Sequence, residues 1–315
     1  MESLISPAIL FFMLGLLAAL IRSNLDIPDV ISKAMAIYLM AAIGLKGGVQ
    51  VSETGFTTEL LLAGFAGLSL SLLLPLPVYW SLRRLGRLDQ VNAGAVAAHY
   101  GSVSVVTFVT GVAILEAAGL PVAGFMVAVL ALMEAPAILV GLWLACRSGP
   151  GASGGLAWQP SHALRDGSVL LLLGGFVIGL VAGRSGFEPV RPVFEDGFKG
   201  ILCLFLLDMG LVAARHLTRT RALTPVLAVL AIAFAIVHGT IGVTVGSLIG
   251  LDPGSAAALG ILAGSASYIA APAAIRLALP DADIGLPLAM SLAITFPFNI
   301  VLGIPLLGAV ANYLA

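Results

Sequence analysis

Two short motifs of glycine and serine lie in the middle of long apolar stretches of this sequence. Gly101-Ser102-Val103-Ser104 and Gly264-Ser265-Ala266-Ser267 are separated by an offset of 163 residues. Glycine lets a chain leave helical geometry at little cost, and serine can bond to the backbone groups that a break exposes. A broken helix offers N–H groups that suit an anion, and carbonyl and hydroxyl oxygens that suit Na⁺. The motifs therefore predict small-ion sites without charged side chains. The alternative is close helix packing, which small residues also permit.

The predicted sites consist of these motifs and the oxygen-bearing side chains near them. The residues predicted to bind an anion are Gly101, Ser102, Val103, Ser104, Gly264, Ser265, Ala266 and Ser267. The residues predicted to bind Na⁺, the expected coupling ion, are Ser104, Thr107, Glu134, Ser267, Tyr268 and Thr295, with Asn299 as a further polar support. No other metal site is predicted, because the four His and two Cys do not have the spacing of zinc ligands.

Two acidic residues lie deep in apolar stretches. Glu134 falls near the centre of one stretch and Asp208 within another. A charge in the middle of a membrane helix costs about 2.5–3.5 kcal/mol on insertion scales, so such acids are often functional. Glu134 is interpreted as a cation ligand, a proton carrier or a protonated structural group. For Asp208 a structural role is favoured, paired with a neighbouring helix or with Arg215.

The composition excludes an ordinary soluble domain. Hydrophobic residues make up 60% of the chain and charged residues 10%, against about 25% charged residues in globular domains. The net charge of −1 provides no basic surface for nucleic acid. No serine has the His and Asp partners of a hydrolase, and no phosphate-binding glycine loop occurs, so an enzyme is not predicted.

The elements that must position the motifs are membrane-spanning helices. A spanning helix needs about 20 apolar residues, and strand-like alternation is not found. Ten spans are predicted, at 5–22, 30–46, 59–82, 91–114, 121–146, 167–184, 197–214, 223–250, 254–277 and 285–312. The motifs fall in spans four and nine, which are expected to be broken and to cross at the midplane.

Basic residues predict how these spans are oriented. If the spans alternate, one side of the membrane collects Arg22, Arg83, Arg84, Arg87, Arg147, Arg165, Arg215, Arg219, Arg221 and Arg276. The other side collects only Lys46, Arg184, Arg191 and Lys199. Because basic loops stay in the cytoplasm, both termini are predicted to be periplasmic or extracellular in a bacterial inner (plasma) membrane protein.

The halves of the chain predict two inverted five-helix repeats. Asp89 and Asp252 open spans four and nine, and Glu134-Ala135-Pro136 parallels Thr295-Phe296-Pro297. The predicted repeats are residues 1–146 and 167–315, joined by a cytoplasmic linker at 147–166. An odd number of helices inverts the second copy, and inverted repeats with broken helices are typical of secondary transporters.

The chain also resembles a known family. The matching residues are Ile43-Gly44-Leu45, Tyr100-Gly101 with Val103-Ser104, Met133-Glu134-Ala135-Pro136-Ala137, Ala271-Pro272 with Arg276, and Ile304-Pro305-Leu306. They resemble the sodium-dependent bicarbonate transporters. The resemblance implies Na⁺-coupled uptake of bicarbonate by a core domain (59–146 and 223–315) moving against a gate domain (1–50 and 167–222). It also implies a homotrimer and a PII-like cytoplasmic regulator.

Some residues depart from the family pattern. The family has an acid where Tyr268 stands, a second Pro at Ala273 and a Gly-Ser pair at Val105-Val106. The lost acid leaves the ion coupling and the bicarbonate specificity open. Alternatives are transport of another small carboxylate or amino acid on the same scaffold, and a cation/proton exchanger or channel that uses Glu134.

Overall fold

The chain folds into helices that suit a membrane. The computed structural model describes residues 7–55, 57–146, 167–219, 223–268, 270–279 and 281–315, and every regular element there is helical. Within these ranges, seven helical segments are long and apolar enough to span a bilayer: Asp29–Glu53, Thr58–Arg84, Gln90–Ala117, Met126–Cys146, Pro192–Arg215, Pro225–Leu248 and Gly285–Leu314. The prediction of an all-helical membrane protein is therefore confirmed. The predicted linker 147–166 lies outside the described residues.

The helices are numbered in chain order. They are α1 (Pro7–Leu20), α2 (Asp29–Thr54), α3 (Thr58–Leu73), α4 (Pro75–Arg84), α5 (Gln90–Gly101), α6 (Val105–Ala117), α7 (Met126–Cys146), α8 (Gly167–Phe187), α9 (Phe198–Arg219), α10 (Pro225–Leu248), α11 (Pro253–Ala263), α12 (Ala270–Ala278) and α13 (Gly285–Leu314). Within α13, the stretches Ala289–Thr295 and Asn299–Gly303 are π-helical and lie on either side of Pro297. Short helical turns at Glu188–Val190 and Pro192–Asp196 connect α8 to α9.

Side-chain caps explain where several helices begin. The carboxylate of Asp89 accepts the N–H of Asn92 at 2.9 Å, and the carboxylate of Asp252 accepts the N–H of Ser255 at 3.0 Å. Such caps satisfy N–H groups that have no partner within the helix. Asp89 and Asp252 are separated by the same offset of 163 residues as the two motifs. Two segments at this fixed offset therefore begin with the same kind of cap.

Helix α2 is longer than predicted. It continues to Thr54, whereas the sequence predicted that the span ends at residue 46. The added turns carry Gln50 and Glu53, and Lys46 stands at the predicted end. These side chains instead lie on a continuing helix beside a cavity, where Lys46 and Glu53 find oppositely charged partners. Polar residues therefore mark the end of the apolar run and not the end of the helix.

Helices α1, α2, α8 and α9 are called here the gate group, after the predicted gate domain. Helix α1 packs along α9, and α2 packs along α8. A Cβ atom added to Gly15 would lie 2.0 Å from the Leu207 carbonyl oxygen, and one added to Gly48 would lie 1.9 Å from the Phe176 carbonyl oxygen. Glycine is required at both positions because the helix backbones touch there.

The remaining helices are called the core group, after the predicted core domain. Helix α7 packs against α3 and α5 in the first half, and α11 packs against α10 and the end of α13 in the second half. Large apolar side chains on the outer faces of α3 and α10 are exposed, such as Phe65 at 73% and Val229 at 66%. A bilayer, unlike water, solvates such faces favourably.

Candidate functional site

The first break separates α5 from α6 at residues 102–104. Ser102 and Ser104 have extended backbone conformations, with ψ angles of 164° and 111°. The Ser104 hydroxyl then caps α6, because it accepts the N–H of Thr107 at 3.1 Å and the Thr107 hydroxyl at 2.9 Å. The chain leaves helical geometry at the predicted motif, and a serine starts the next helix.

The second break separates α11 from α12 at residues 264–268. The chain there is not helical, and the Ser267 hydroxyl accepts the N–H of Ala271 at 3.2 Å in the first turn of α12. The Ser265 hydroxyl donates to the carbonyl oxygen of Leu262 at 2.9 Å. Ser104 and Ser267 occupy equivalent positions in the two motifs, and both cap the helix that follows the break.

Two hydrogen bonds join the breaks directly. The N–H of Ser104 donates to the Ser265 hydroxyl at 3.0 Å, and the N–H of Ser267 donates to the His99 carbonyl oxygen at 2.8 Å. The two donors are thus equivalent residues of the two halves. In an unbroken helix these N–H groups would bond to carbonyl oxygens of the same helix. Here they bond across to the other broken helix and hold the two side by side.

The central residues of the motifs have buried N–H groups that are not hydrogen-bonded. Val103 is 1% exposed and Ala266 is 3% exposed. Neither N–H donates a hydrogen bond to any group in the described part of the chain. A buried donor without a partner destabilises a fold by about 1–3 kcal/mol, so such groups are rare without a reason. Free N–H groups near a helix N-terminus are the kind of group that binds a small anion, so the predicted anion site stays a prediction for these residues.

A comparison with protein families identifies the wider relationship. The model of the Na⁺-dependent bicarbonate transporter superfamily matches residues 7–312, which is nearly the whole chain. The chain belongs to this superfamily. The comparison with curated proteins gives no match. The resemblance found in the sequence is therefore confirmed, and it places the protein in a family of transporters.

The two motif glycines of this superfamily member are needed for packing around the breaks. A Cβ atom added to Gly101 would lie 2.3 Å from Cγ of Pro75, at the start of α4. A Cβ atom added to Gly264 would lie 2.6 Å from the Ala235 carbonyl oxygen in α10. Both glycines were predicted to bind the anion. The contacts show that each lets a neighbouring helix approach the backbone at the break.

Helix α7 contacts the first break where Pro136 disturbs its hydrogen bonding. The Ser71 hydroxyl donates to the Met133 carbonyl oxygen at 2.5 Å and accepts the N–H of Ala137 at 3.1 Å. It thereby bridges two groups that would bond directly in a regular helix. The Ser102 hydroxyl donates to the next carbonyl oxygen, that of Glu134, at 2.9 Å. Ser71 was not predicted, although Pro136 indicates that some nearby group must repair the helix.

Glu134 is buried in this kinked region, at 3% exposure. Its main-chain oxygen contacts the first break through Ser102. This contact fixes where Glu134 lies but does not involve its carboxyl group. The assignment of that group as a cation ligand therefore stays a prediction.

Helix α13 makes the corresponding contacts in the second half. The Thr295 hydroxyl is hydrogen-bonded to the Tyr100 hydroxyl at 2.7 Å and donates to the Ala231 carbonyl oxygen at 3.3 Å. The Asn299 side-chain amide donates to the Gly264 carbonyl oxygen at 3.0 Å. Thr295 and Asn299 lie in the two π-helical stretches, which often occur at functional sites. Asn299 therefore hydrogen-bonds to the second break, and its role as a polar support of an ion site stays a prediction.

Asp208 lies away from the breaks, in the gate group. It is 3% exposed on α9, and a hydrogen bond to Ser32 on α2 contributes to its environment. Arg215, its predicted partner, makes an ion pair with Asp26 at 2.7 Å and also interacts electrostatically with Asp208. The position of Asp208 between gate helices agrees with a structural role.

Proposed function

We propose that this protein is a secondary transporter that couples Na⁺ to the uptake of bicarbonate or a similar small anion. The observation that carries the proposal is the pair of buried, unpaired N–H groups of Val103 and Ala266. Membership of the Na⁺-dependent bicarbonate transporter superfamily supports both the ion and the substrate. The family does not favour the cation/proton exchanger built on Glu134.

Main-chain donors suit a cargo that must be released. An N–H group needs no counter-ion, and its dipole interacts with an anion more weakly than a buried arginine would. The bonds of Ser104 and Ser267 connect the two broken helices, which supports a site that uses donors from both. A small anion is therefore bound without a charged side chain, and Na⁺ compensates its charge.

Neutral oxygen atoms supply the Na⁺ site in this proposal. The hydroxyls of Ser267 and Thr295 lie at the second break and beside it, and each has acceptor capacity beyond its observed bonds. The carboxyl group of Glu134 adds a negative charge when ionised. Binding the cation close to the anion would make each favour the other, which is the physical basis of coupling.

The arrangement of the helices supports a moving core domain. We propose ten spans in two inverted repeats, with the core domain (59–146 and 223–315) carrying both breaks. The gate domain (1–50 and 167–222) contains the tightly packed pairs α1–α9 and α2–α8. Because close backbone contacts hold each group together, motion between the groups would disturb the site least.

A cavity of about 290 Å³ lies between the two groups. It is lined by Ile43 and Lys46 of α2 and by Phe108 and Glu116 of α6. Phe108 directly follows Thr107, so the cavity ends within one turn of the first break. We propose it as the approach from the periplasm, the side on which the charge pattern places Lys46.

The remaining expectations follow the family resemblance. We propose a bacterial inner membrane location with both termini outside, and assembly as a homotrimer. A PII-like regulator would have to bind the cytoplasmic side, where the linker 147–166 is expected.

The test is uptake of labelled bicarbonate into proteoliposomes with and without a Na⁺ gradient. Wild-type protein is expected to accumulate bicarbonate only with Na⁺, and the Ser102→Ala/Ser265→Ala double variant to lose uptake while inserting normally. Ser69→Ala is the matched control, because Ser69 bonds only within α3, to the Phe65 carbonyl oxygen. Competition by a panel of small carboxylates and amino acids identifies the substrate. Uptake that does not depend on Na⁺, or that persists in the double variant, would overturn the proposal.

A further inference from the structure

Tyr268 is the last described residue of the second break, and its hydroxyl lacks a hydrogen-bond partner of normal geometry in the described chain. Its hydroxyl oxygen is buried and makes no hydrogen bond of normal geometry within the described chain. A buried hydroxyl without a partner is unfavourable, so its presence in a folded core calls for a ligand that completes it. No other tyrosine in the described ranges has a buried hydroxyl of this kind.

The ring of Tyr268 is held in place by aromatic contacts. It packs edge-on against Phe296 of α13, with ring centroids 5.8 Å apart and an interplanar angle of 73°. Phe296 in turn packs edge-on against Phe12 of α1, at 5.7 Å and 79°. Edge-to-face pairs at these distances are favourable, so the position of the hydroxyl is determined by its ring.

The neighbouring hydroxyl of Ser104 cannot satisfy the Tyr268 proton. Ser104 interacts with the Tyr268 hydroxyl across the breaks. Its oxygen, however, already accepts hydrogen bonds from the N–H and the hydroxyl of Thr107. A hydroxyl oxygen has two acceptor positions and one donor, so Ser104 can only donate to Tyr268. The phenolic proton of Tyr268 therefore needs another acceptor.

We propose that this acceptor is the transported anion, so that Tyr268 is a specificity-determining hydrogen-bond donor. This inference rests on the proposed function. The sequence assigned Tyr268 to the cation. The hydrogen bonds of Ser104 favour the anion as the ligand of Tyr268. A cation would bind the lone pairs of the Tyr268 hydroxyl oxygen and leave the phenolic proton without an acceptor. The ligand is a small oxyanion. One of its oxygen atoms accepts the hydrogen bond from the neutral Tyr268 hydroxyl, and main-chain N–H groups bind its other oxygen atoms.

The test compares Tyr268→Phe with wild type in bicarbonate uptake at saturating Na⁺, and in Na⁺ titrations at saturating bicarbonate. Phenylalanine keeps the ring contact with Phe296 and removes only the hydroxyl. The KM for bicarbonate is expected to rise about tenfold, the effect of one hydrogen bond to a charged acceptor, while the KM for Na⁺ stays within about twofold. Tyr38→Phe is the control, because Tyr38 lies on α2 and its hydroxyl donates to the Val193 carbonyl oxygen in the connection between α8 and α9. Its KM for bicarbonate should change by less than about threefold.

The outcomes separate this inference from the proposed function. If wild-type protein shows no Na⁺-driven uptake, the proposed function fails. If it transports normally and Tyr268→Phe has an unchanged KM for bicarbonate, or mainly a raised KM for Na⁺, only the role of Tyr268 is overturned. Should the variant not insert, infrared difference spectra of wild-type protein with isotope-labelled tyrosine decide the question. Added bicarbonate is expected to shift a tyrosine C–O band, and a spectrum without tyrosine bands contradicts the inference.

Discussion

The N–H of Ser104 donates to the hydroxyl of Ser265 at 3.0 Å, and this bond connects the two broken helices of the protein. Ser265 can accept it because its own proton is directed to the Leu262 carbonyl oxygen at 2.9 Å. The second half therefore provides the acceptor for a backbone donor that the first half has lost. Each break depends on the other for its hydrogen bonds, so the two are expected to form together.

Gly264→Ala is expected to disrupt the second break. The added methyl would lie 2.6 Å from the Ala235 carbonyl oxygen and 3.0 Å from the Cα atom of Gly239, both of which belong to the backbone of α10. Overpacking of this kind destabilises a core by about 1–3 kcal/mol. The expected result is a lower Tm in detergent together with lost bicarbonate uptake.

Gly200→Ala is the matched control for this substitution. No atom lies within 4 Å of a Cβ atom built at Gly200, a helical residue of α9. Alanine there should stabilise the helix by about 0.5–1 kcal/mol, because glycine is the poorer helix former. Equal changes in Tm for the two variants would contradict the proposed packing role of Gly264.

Ser71→Ala is expected to weaken the kink in α7. The substitution removes the hydroxyl between the Met133 carbonyl oxygen and the Ala137 N–H, and leaves both groups buried without that bridge. Loss of such a bridge costs about 1–3 kcal/mol. We expect a lower Tm and reduced uptake, with Ser69→Ala unchanged on both measures. A Ser71→Ala protein as stable and active as wild type would show that α7 repairs its own hydrogen bonding.

The ion pair between Lys46 and Glu116 joins the gate group to the core group. The two charged groups are 3.7 Å apart, with side chains 29% and 40% exposed. Partly exposed pairs contribute about 0–1 kcal/mol, so single charge reversals should change the transport rate no more than about fivefold. Lys46→Glu with Glu116→Lys should restore the rate. If the double variant is slower than both single variants, the pair does not control motion between the groups.

The sequence predicted where two of the helices begin and break because the same residue types recur at one fixed offset. Asp89 and Asp252, at one fixed offset, cap the helices that carry the motifs. Gly-Ser-x-Ser predicted where both helices break, since glycine and serine favour departures from helical geometry. The sequence predicted a second span of 30–46, whereas α2 continues to Thr54. Lys46 and Glu53 lie on this continuation, and their charged partners on other helices are not visible in a local pattern.

Contacts between helices were the part that the sequence could not predict. Ser71 occupies an apolar span like many structural serines, and only its position beside Pro136 reveals its bridging role. The Ser104–Ser265 bond joins residues 161 positions apart, and helical periodicity gives no information about such pairs. The free donors of Val103 and Ala266 likewise depend on which backbone groups find partners across the breaks.

The most direct test of the account is an experimental structure of the protein with saturating Na⁺ and bicarbonate. Density for the anion is expected between the two breaks, with its oxygen atoms within about 3.2 Å of the main-chain nitrogens of Val103 and Ala266. Density for bicarbonate at a basic side chain instead, with these two nitrogens bonded to protein groups, would contradict it.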